Sequence, residues 1–573
     1  MTKIEFCIGG KRGASKQGQD ERLAEMNDQT PTECYPITVL PHTSALFRDY
    51  TDARGAGDPA ALRRWYPADP FTMDWAKRSP ELGAAHRERL ADELKAQAEG
   101  FGAGEAALAN VERLRQGAAA VVSGQQVALF GGPLFTLLKA ATAIRKAQDA
   151  TRESGREHVP VFWLASADHD LEEVDQVSLL TKTSVETLKL GLNVGRQVPV
   201  GGISLGESGE SLAVELDRAS ELLGWAPVSE LLRECYTPEA TLAKSFGKLL
   251  TRVFAAQGLV VMDAASREFH TLGAAALRYA IEHAEELETA LLSRSKELEA
   301  AGYHAQVLVV AGHSLLFLID ADTGARTPLR RGDGDAWKTG SRSYTTAELL
   351  AILEAEPERL SPNALLRAVF QDCILPTAAY VGGPAEIAYF AQSAVVFEQV
   401  LGRVTPVLPR LSATLIEPAI ANVMGQHEVQ LPQVFEAKDA EGLAQRLGAR
   451  AMPIESKRKL AAVGNAMDKE LTALTEYMSA LSAELGKAAE VSGSKMRYQM
   501  DRLRRLAATF ELQKEASLRK HAEAITLNVF PDGHPQERLV AGVWFLARYG
   551  ETLPELLVEH AGQECPGHRV ITL

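Results

Sequence analysis

The reading of the fold turns on Ala118-Ala119-Ala120-Val121-Val122-Ser123-Gly124-Gln125-Gln126, which runs through Gly131-Gly132-Pro133 into Leu134-Phe135-Thr136-Leu137-Leu138-Lys139. The apolar run 118–123 has the length and content of a strand. Leu134, Leu137, Leu138, Ala141 and Ile144 then recur at helical spacing over 134–150, and a second apolar run follows at 159–165. Strand, glycine loop, helix and strand in that order make a βαβ unit, whose two strands must be parallel.

Working outward, the alternation continues. An apolar run at 259–262 precedes helix-like periodicity from 266 to 300, further runs lie at 307–310 and 315–319, and a strand at 374–381 leads into a helix at 385–401. The expected fold is α/β, a doubly wound parallel-sheet core over 34–436, with inserts near 190–244 and 302–345 where clustered turn residues break the alternation. Over 437–525, Met467, Leu471, Leu474, Met478, Leu481 and Leu485 step by fours and threes. Past 486–493, Met496, Met500, Leu503, Leu506 and Phe510 give a second helix. The pair predicts an antiparallel helical hairpin, either packed on the core or projecting as a coiled coil that dimerises the protein. Residues 526–573, with Leu539, Val543, Leu546 and Tyr549, should dock back on the core, and residues 1–33 read as a polar tail without the apolar stretch of a signal peptide.

Composition narrows the partners. The 573 residues carry 61 Lys plus Arg against 75 Asp plus Glu, a formal charge of −14. An acidic surface repels phosphate backbones, so no nucleic-acid partner is expected. With 46% apolar and 24% charged residues and no run of about 18 apolar residues, no membrane partner is expected either. Cys7, Cys34, Cys235, Cys373 and Cys565 are odd in number and form no C-x-x-C pair. Neither a disulfide framework nor a zinc site is expected, and the localisation read from this is a reducing cytoplasm.

In parallel sheets ligands bind past the carboxyl ends of strands, which singles out three loops. The first is Ser123-Gly124-Gln125-Gln126 running to Gly132 and Pro133. Its glycines admit a ligand to the backbone, and the helix start favours a phosphate or carboxylate, with Lys139 one turn on; the alternative is a tight turn with Lys139 in solvent. The second is Asp168-His169-Asp170, followed by Glu172 and Glu173. A His between carboxylates suits general-base catalysis or Mg²⁺ binding, while Asp170 could equally cap a helix. The third, Gly382-Gly383-Pro384, repeats the helix start of the first, and Asn363 and Arg367 lie upstream, Arg367 offering a planar fork to an anion or a surface salt bridge. No G-x-x-x-x-G-K-[ST], G-x-G-x-x-G after a strand or H-E-x-x-H occurs, so phosphate-loop ATPases, ordinary dinucleotide enzymes and zincins drop out.

Taken together, Val121 to Gln126, Gly132-Pro133-Leu134, Pro160-Val161-Phe162-Trp163, Asp168-His169-Asp170, Leu375-Pro376-Thr377 and Gly382-Gly383-Pro384 to Tyr389 resemble the bacillithiol biosynthesis cysteine-adding family, the cysteine ligase BshC. Ile37 to Tyr50, Glu537-Arg538 and Tyr549-Gly550 fit as well, so the resemblance spans 34–573. It implies a Rossmann-like core with two connecting insertions, similar to class I aminoacyl-tRNA synthetases, and a C-terminal coiled coil that makes a homodimer. It also implies an amide-forming ligase whose substrates are cysteine and glucosaminyl-malate, at the last step toward a low-molecular-weight thiol. Ser123 stands where many relatives carry Thr, which keeps the hydroxyl. The synthetase signatures H-I-G-H and K-M-S-K-S are missing, and Ser494-Lys495-Met496 lies in the helical arm.

A carboxylate acylates poorly unless activated, so ATP is the expected cosubstrate, with Mg²⁺ as its companion ion and its product, ADP or AMP, open. The expected site has His169 as base, steadied by Asp168 or Asp170. Ser123, Gly124, Gln125, Gln126, Gly132, Lys139, Asn363, Arg367, Gly382 and Gly383 would hold the anionic groups between two glycine-lined helix starts. Two other functions fit the fold: a nucleotidyltransferase acting on another small acid, and a coiled-coil assembly protein with no ligand.

Overall fold

The computed structural model describes residues 32–573 except 56, 79, 225 and 341. The polar tail expected over 1–33 lies almost wholly outside them; at its end, Thr32–Tyr35 is already a strand.

The core is built from β1 (Ala119–Gln125), α1 (Phe135–Ser154), β2 (His158–Leu164), β3 (Val260–Asp263), α2 (Ala364–Ile374), β4 (Thr377–Gly382), α3 (Pro384–Leu401) and β5 (Val407–Pro409). The strands lie in the order β5-β4-β1-β2-β3, every neighbouring pair parallel. This is the Rossmann-like sheet expected. Residues 119–124 and all of β2 are buried, so both faces are covered and the strands read as continuous apolar runs instead of alternating ones. From β1 the chain winds toward β2 and β3 on one side and returns to β4 and β5 on the other. The order therefore reverses between β1 and β4, and a crevice opens at their carboxyl ends.

Between β2 and β3 the chain inserts a hairpin, Gln176–Leu180 with Val185–Lys189, and the helices Ser211–Leu223, Ala226–Cys235 and Leu242–Val253. Before α2 it inserts a second, antiparallel sheet. The run at 315–319, expected to continue the core series, belongs there: strand His313–Ile319 pairs antiparallel with Arg326–Arg331 and Leu360–Pro362. The run at 307–310 forms no strand. The Gln392 side chain bonds both the N–H (2.8 Å) and the carbonyl (2.9 Å) of Val307, and Leu308 is 85% exposed. The helical stretch 266–300 is three helices, Arg267–Leu272, Ala274–Glu282 and Ala284–Ala300. Gly273 stands at the first break, where a Cβ would lie 2.3 Å from the Phe370 ring.

The arm is α4 (Ile454–Leu481) packed against α5 (Ala483–Lys514), with a single extended residue, Ser482, between them. The connection expected at 486–493 is instead the first turns of α5. Gly486 and Gly493, seven residues apart, face inward, and a Cβ on Gly486 would come 2.3 Å from the Ser479 hydroxyl. Glycine here lets the two backbones close up immediately after the turn. Beyond the arm, helix Gly542–Tyr549 returns to the core and buries Val543, Trp544, Phe545 and Leu546, with Gly542 donating to Gly132 O at 3.0 Å.

The cysteine reading needs correction. Cys34 and Cys565 are joined by a disulfide across 531 residues. The two chain ends meet in a three-stranded sheet in which Thr32–Tyr35 pairs antiparallel with His568–Thr572, a juxtaposition that cysteine spacing does not encode. No helix among the described residues is long and apolar enough to cross a membrane.

Candidate active site

The crevice between β1 and β4 holds a cavity of about 340 Å³ lined by Gly124, Gln125, Gln126, Lys139, Arg367 and Gly383, together with Glu173, Glu386, Arg410 and Arg538. A second chamber of about 370 Å³ adjoins it and shares Ala165, Asp168, Ala364 and Arg367 with it. Its walls are mostly apolar, with Trp163, Phe317 and Phe370, and His169, Arg326 and Asn363 on its polar side.

The first chamber is organised by a buried ionic network. Lys139 extends from α1 back to the end of β1, donating to Gly124 O (2.7 Å) and Gln125 Oε1 (3.0 Å) and pairing with Glu386 at 2.5 Å. Gly124 is required where it stands, since a Cβ would lie 2.8 Å from the Trp163 carbonyl on the neighbouring strand. Glu386 accepts from the Gly383 N–H at 2.7 Å and from Tyr380 Oη at 2.5 Å, and Arg367 donates to Tyr389 Oη at 2.6 Å. Burial alone would raise the Glu386 carboxyl, but Lys139 and Arg367 outweigh it and hold its pKa below the ordinary value. Burial likewise works against the Arg367 charge, and the adjoining Tyr389, Tyr380 and Glu386 reverse it, so its pKa is raised.

This arrangement corrects the two paired anion caps. The N–H groups of Gly131, Gly132 and Leu134 are taken by Tyr236 Oη, Leu129 O and Val540 O, and Gly132 does not line the cavity. At the other helix start, Glu386, the third residue of α3, caps the helix with its side chain by accepting from the Gly383 N–H. That carboxylate sits where an incoming anion was expected. Ser123 is fully buried and donates to Val381 O at 2.8 Å, tying β1 to β4, and a Cβ on Gly382 would meet Glu386, Val407 and Tyr380; neither residue lines the cavity.

The second loop is corrected in part. Asp170 is exposed and caps the short helix Leu171–Val174 by accepting from the Glu173 N–H, so it is a helix cap and not a partner of His169. Asp168 accepts from the Gln126 amide and from the His169 backbone N–H at 2.7 Å. His169 points into the second chamber. Arg326 Nη1 lies 2.9 Å from its Nδ1, and a guanidinium can only donate, so Nδ1 is the acceptor and Nε2 carries the hydrogen. Asp168 Oδ1, 3.5 Å from the same Nδ1, is too far for a hydrogen bond. With Nδ1 engaged by Arg326, the hydrogen that His169 can offer a ligand is the one on Nε2. Asn363 caps α2, accepting from the Leu365 and Leu366 N–H groups. No group of three or more His, Cys, Asp or Glu among the described residues could hold a metal ion.

The site contains residues to which the sequence reading gave no role. Glu173 lines the first chamber, and its pKa is raised by partial burial and by the charges of Asp170 and Asp168. Arg538 reaches the rim from the C-terminal segment and forms no salt bridge among the described residues, whereas Arg410 is neutralised by the buried Glu537 at 2.6 Å. Arg326, 5% exposed, bonds Ser361 Oγ and Pro362 O and has no carboxylate within salt-bridge distance among the described residues; burial pulls its pKa down to about 10, so it stays charged near neutrality. One signal was present in the sequence: Glu386 stands three residues after Gly383, the capping-box position. Arg326 and Arg538 lie far from the glycine loops in sequence and carried none.

Two family models match the chain. Bacillithiol biosynthesis BshC, N-terminal Rossmann-like domain, covers residues 33–411, and the BshC C-terminal coiled-coil domain covers 413–573. Curated relatives named "Putative cysteine ligase BshC" include one from Koribacter versatilis, 42% identical over 94% of this chain and 99% of that one. Another from Solibacter usitatus is 35% identical over 80% and 85%, and one from Salinibacter ruber is 30% identical over 94% and 97%.

Proposed function

The chain belongs to the bacillithiol biosynthesis BshC family, and from that premise we propose that it is a cysteine ligase joining the cysteine carboxylate to the amine of glucosaminyl-malate, with ATP as activating substrate. The observation that carries the reading is the two-chambered crevice at the sheet's switch point, with a cation in each chamber that forms no salt bridge among the described residues: Arg538 in the first and Arg326 in the second. Two small acids held side by side are what an amide ligase must bring together, and each chamber offers one of them an anchor.

The malyl carboxylates fit the first chamber, between Arg367 and Arg538. Cysteine fits the second, its side chain against the apolar wall and its charge near Arg326. The chambers meet at Asp168, Ala165, Ala364 and Arg367, so the reacting carbonyl and amine would meet there. ATP, when bound, supplies the phosphoryl or adenylyl group that makes the carboxylate a competent acyl donor. The chain's own residues do the rest. Arg367 offsets negative charge at the junction, the His169 Nε2–H donates to an oxygen of the activated carboxyl group, and Glu173 accepts the proton the amine loses on attack. A carboxylate whose pKa is raised toward neutrality is a better proton acceptor than an ordinary one.

A homodimer through the arm is part of the same proposal. Leu474, Leu481, Met496, Leu503, Leu506 and Phe510 are each at least half exposed along α4 and α5, an apolar stripe of the kind a second hairpin covers.

The test is direct: purified protein with glucosaminyl-malate, cysteine, ATP and Mg²⁺, followed by mass spectrometry of the thiol product and of the nucleotide. Product whose formation requires cysteine supports the reading, and the nucleotide formed tells acyl phosphate from acyl adenylate. Pyrophosphate or phosphate release indifferent to cysteine would instead favour a nucleotidyltransferase on another acid.

A further inference from the structure

A third cavity, of about 360 Å³, lies where the chain ends meet, away from β2 and the His169 loop. Its wall includes Cys565, and Cys565 is bonded to Cys34 on the exposed strand Thr32–Tyr35. Two cations face it. Lys146 sits on α1 two turns beyond Lys139, and Arg54 projects from the helix Ala45–Arg54, its guanidinium donating to Pro70 O at 2.9 Å. Neither forms a salt bridge among the described residues. Arg410 also touches the cavity, but Glu537 neutralises it, and Glu564 is the single acid among the lining residues. The cavity therefore sets two cations that form no salt bridge among the described residues against one lining acid, beside a disulfide; burial lowers the Lys146 pKa, and the charge of Asp149 opposes that shift.

We propose that this cavity binds a small thiol bearing carboxylates and that the thiol exchanges with the Cys34–Cys565 bond, making Cys565 a site of reversible mixed-disulfide formation. Lys146 and Arg54 hold the carboxylates and deliver the thiolate to the sulfur that lines the cavity. The thiolate attacks Cys565 Sγ and a new S–S bond forms. The Cys34–Cys565 bond breaks, its electron pair leaves on Cys34 Sγ, and that thiolate takes up a proton from water. Attack by Cys34 on the mixed disulfide reverses the step and expels the ligand, so no external oxidant is consumed. The free cysteines among the described residues do not compete, because burial pushes the Cys235 thiol up to about 11 and the Cys373 thiol up to about 12, leaving neither as thiolate at neutral pH. Exchange at Cys565 is independent of whatever reaction the crevice runs.

The oxidised full chain is incubated with mercaptosuccinate, a dicarboxylate thiol, or with neutral 2-mercaptoethanol at matched thiolate concentration, and followed by intact mass and non-reducing peptide mapping. The expected result is an adduct on Cys565 that forms about tenfold faster with mercaptosuccinate. That advantage should disappear in Lys146→Gln and in Arg54→Gln, while the 2-mercaptoethanol rate holds. Equal rates for the two thiols, an adduct confined to Cys34, or a peptide map lacking the Cys34–Cys565 crosslink would each overturn the proposal.

Discussion

Arg326, on the antiparallel insert, donates to His169 Nδ1 on the loop after β2 at 2.9 Å, and its guanidinium carbon lies 3.6 Å from the centre of the Phe317 ring. The insert thus fixes which nitrogen of His169 carries the hydrogen. His169→Gln, which keeps an amide donor near the Nε2 position, should retain activity within about tenfold, while His169→Ala should lose about a hundredfold. If both lose activity equally and the pH–rate profile loses a limb, His169 is a base and the tautomer argument fails.

Glu173 is assigned the proton. In Glu173→Gln, kcat should fall about a hundredfold or more and the acidic limb of the pH–rate profile should disappear. The limb belongs on the acidic side because a raised carboxyl pKa leaves the base protonated as pH falls.

Arg538→Ala removes from the first chamber a cation that forms no salt bridge among the described residues. KM for glucosaminyl-malate should rise about tenfold or more, the scale of one charge-assisted hydrogen bond, while KM for cysteine changes little. An equal rise for both substrates would mean that Arg538 does not distinguish the chambers.

The C-terminal segment should make stability pH-dependent through His568. It is buried between Ser412 Oγ and Thr414 Oγ1, both at 2.8 Å, and burial pushes its pKa down to about 4. The unfolded chain binds this proton below about pH 6.5 while the folded chain resists it until about pH 4, so stability falls as pH drops through that window. About 3 kcal/mol is at stake for this one group. Its partner Glu537, held down to about 2, acts lower: its contribution is present above the ordinary carboxylate range and is lost as pH falls from about 4.5 toward 2. Chemical denaturation of His568→Gln at pH 7 and pH 5 should show a smaller loss between the two than the parent shows.

For the arm, Leu503→Glu with Phe510→Glu should convert a dimer to a folded monomer by light scattering with unchanged circular dichroism, since both side chains are more than half exposed in the single chain. A monomeric parent protein would remove the arm from the assembly question altogether.

How much of this could be read without coordinates follows from the range of each interaction. The strand runs at 118–123 and 159–165, the helix between them and the heptads of the arm are local patterns. A buried parallel strand must be apolar throughout and a helical face must repeat, and both rules leave their mark within about a dozen residues. Gly124, Gln126, Lys139 and Arg367 were legible as candidates because strand ends in such sheets face the crevice. The two anion caps misled because a capping glycine shows only that N–H groups need partners, not which partners they find. Tyr236 and Val540 satisfy one cap and Glu386 the other, and the first two are remote in sequence. Arg326 and Arg538 reach the site from the second insert and from beyond the arm, and Cys34 meets Cys565 across nearly the whole chain. By itself the sequence determined the layered sheet, the hairpin and the family. Which charges are neutralised, which nitrogen of His169 is protonated and which cations remain for a substrate were decided only when tertiary structure brought distant side chains within hydrogen-bond range, because electrostatic pairing depends on distance in space and not along the chain.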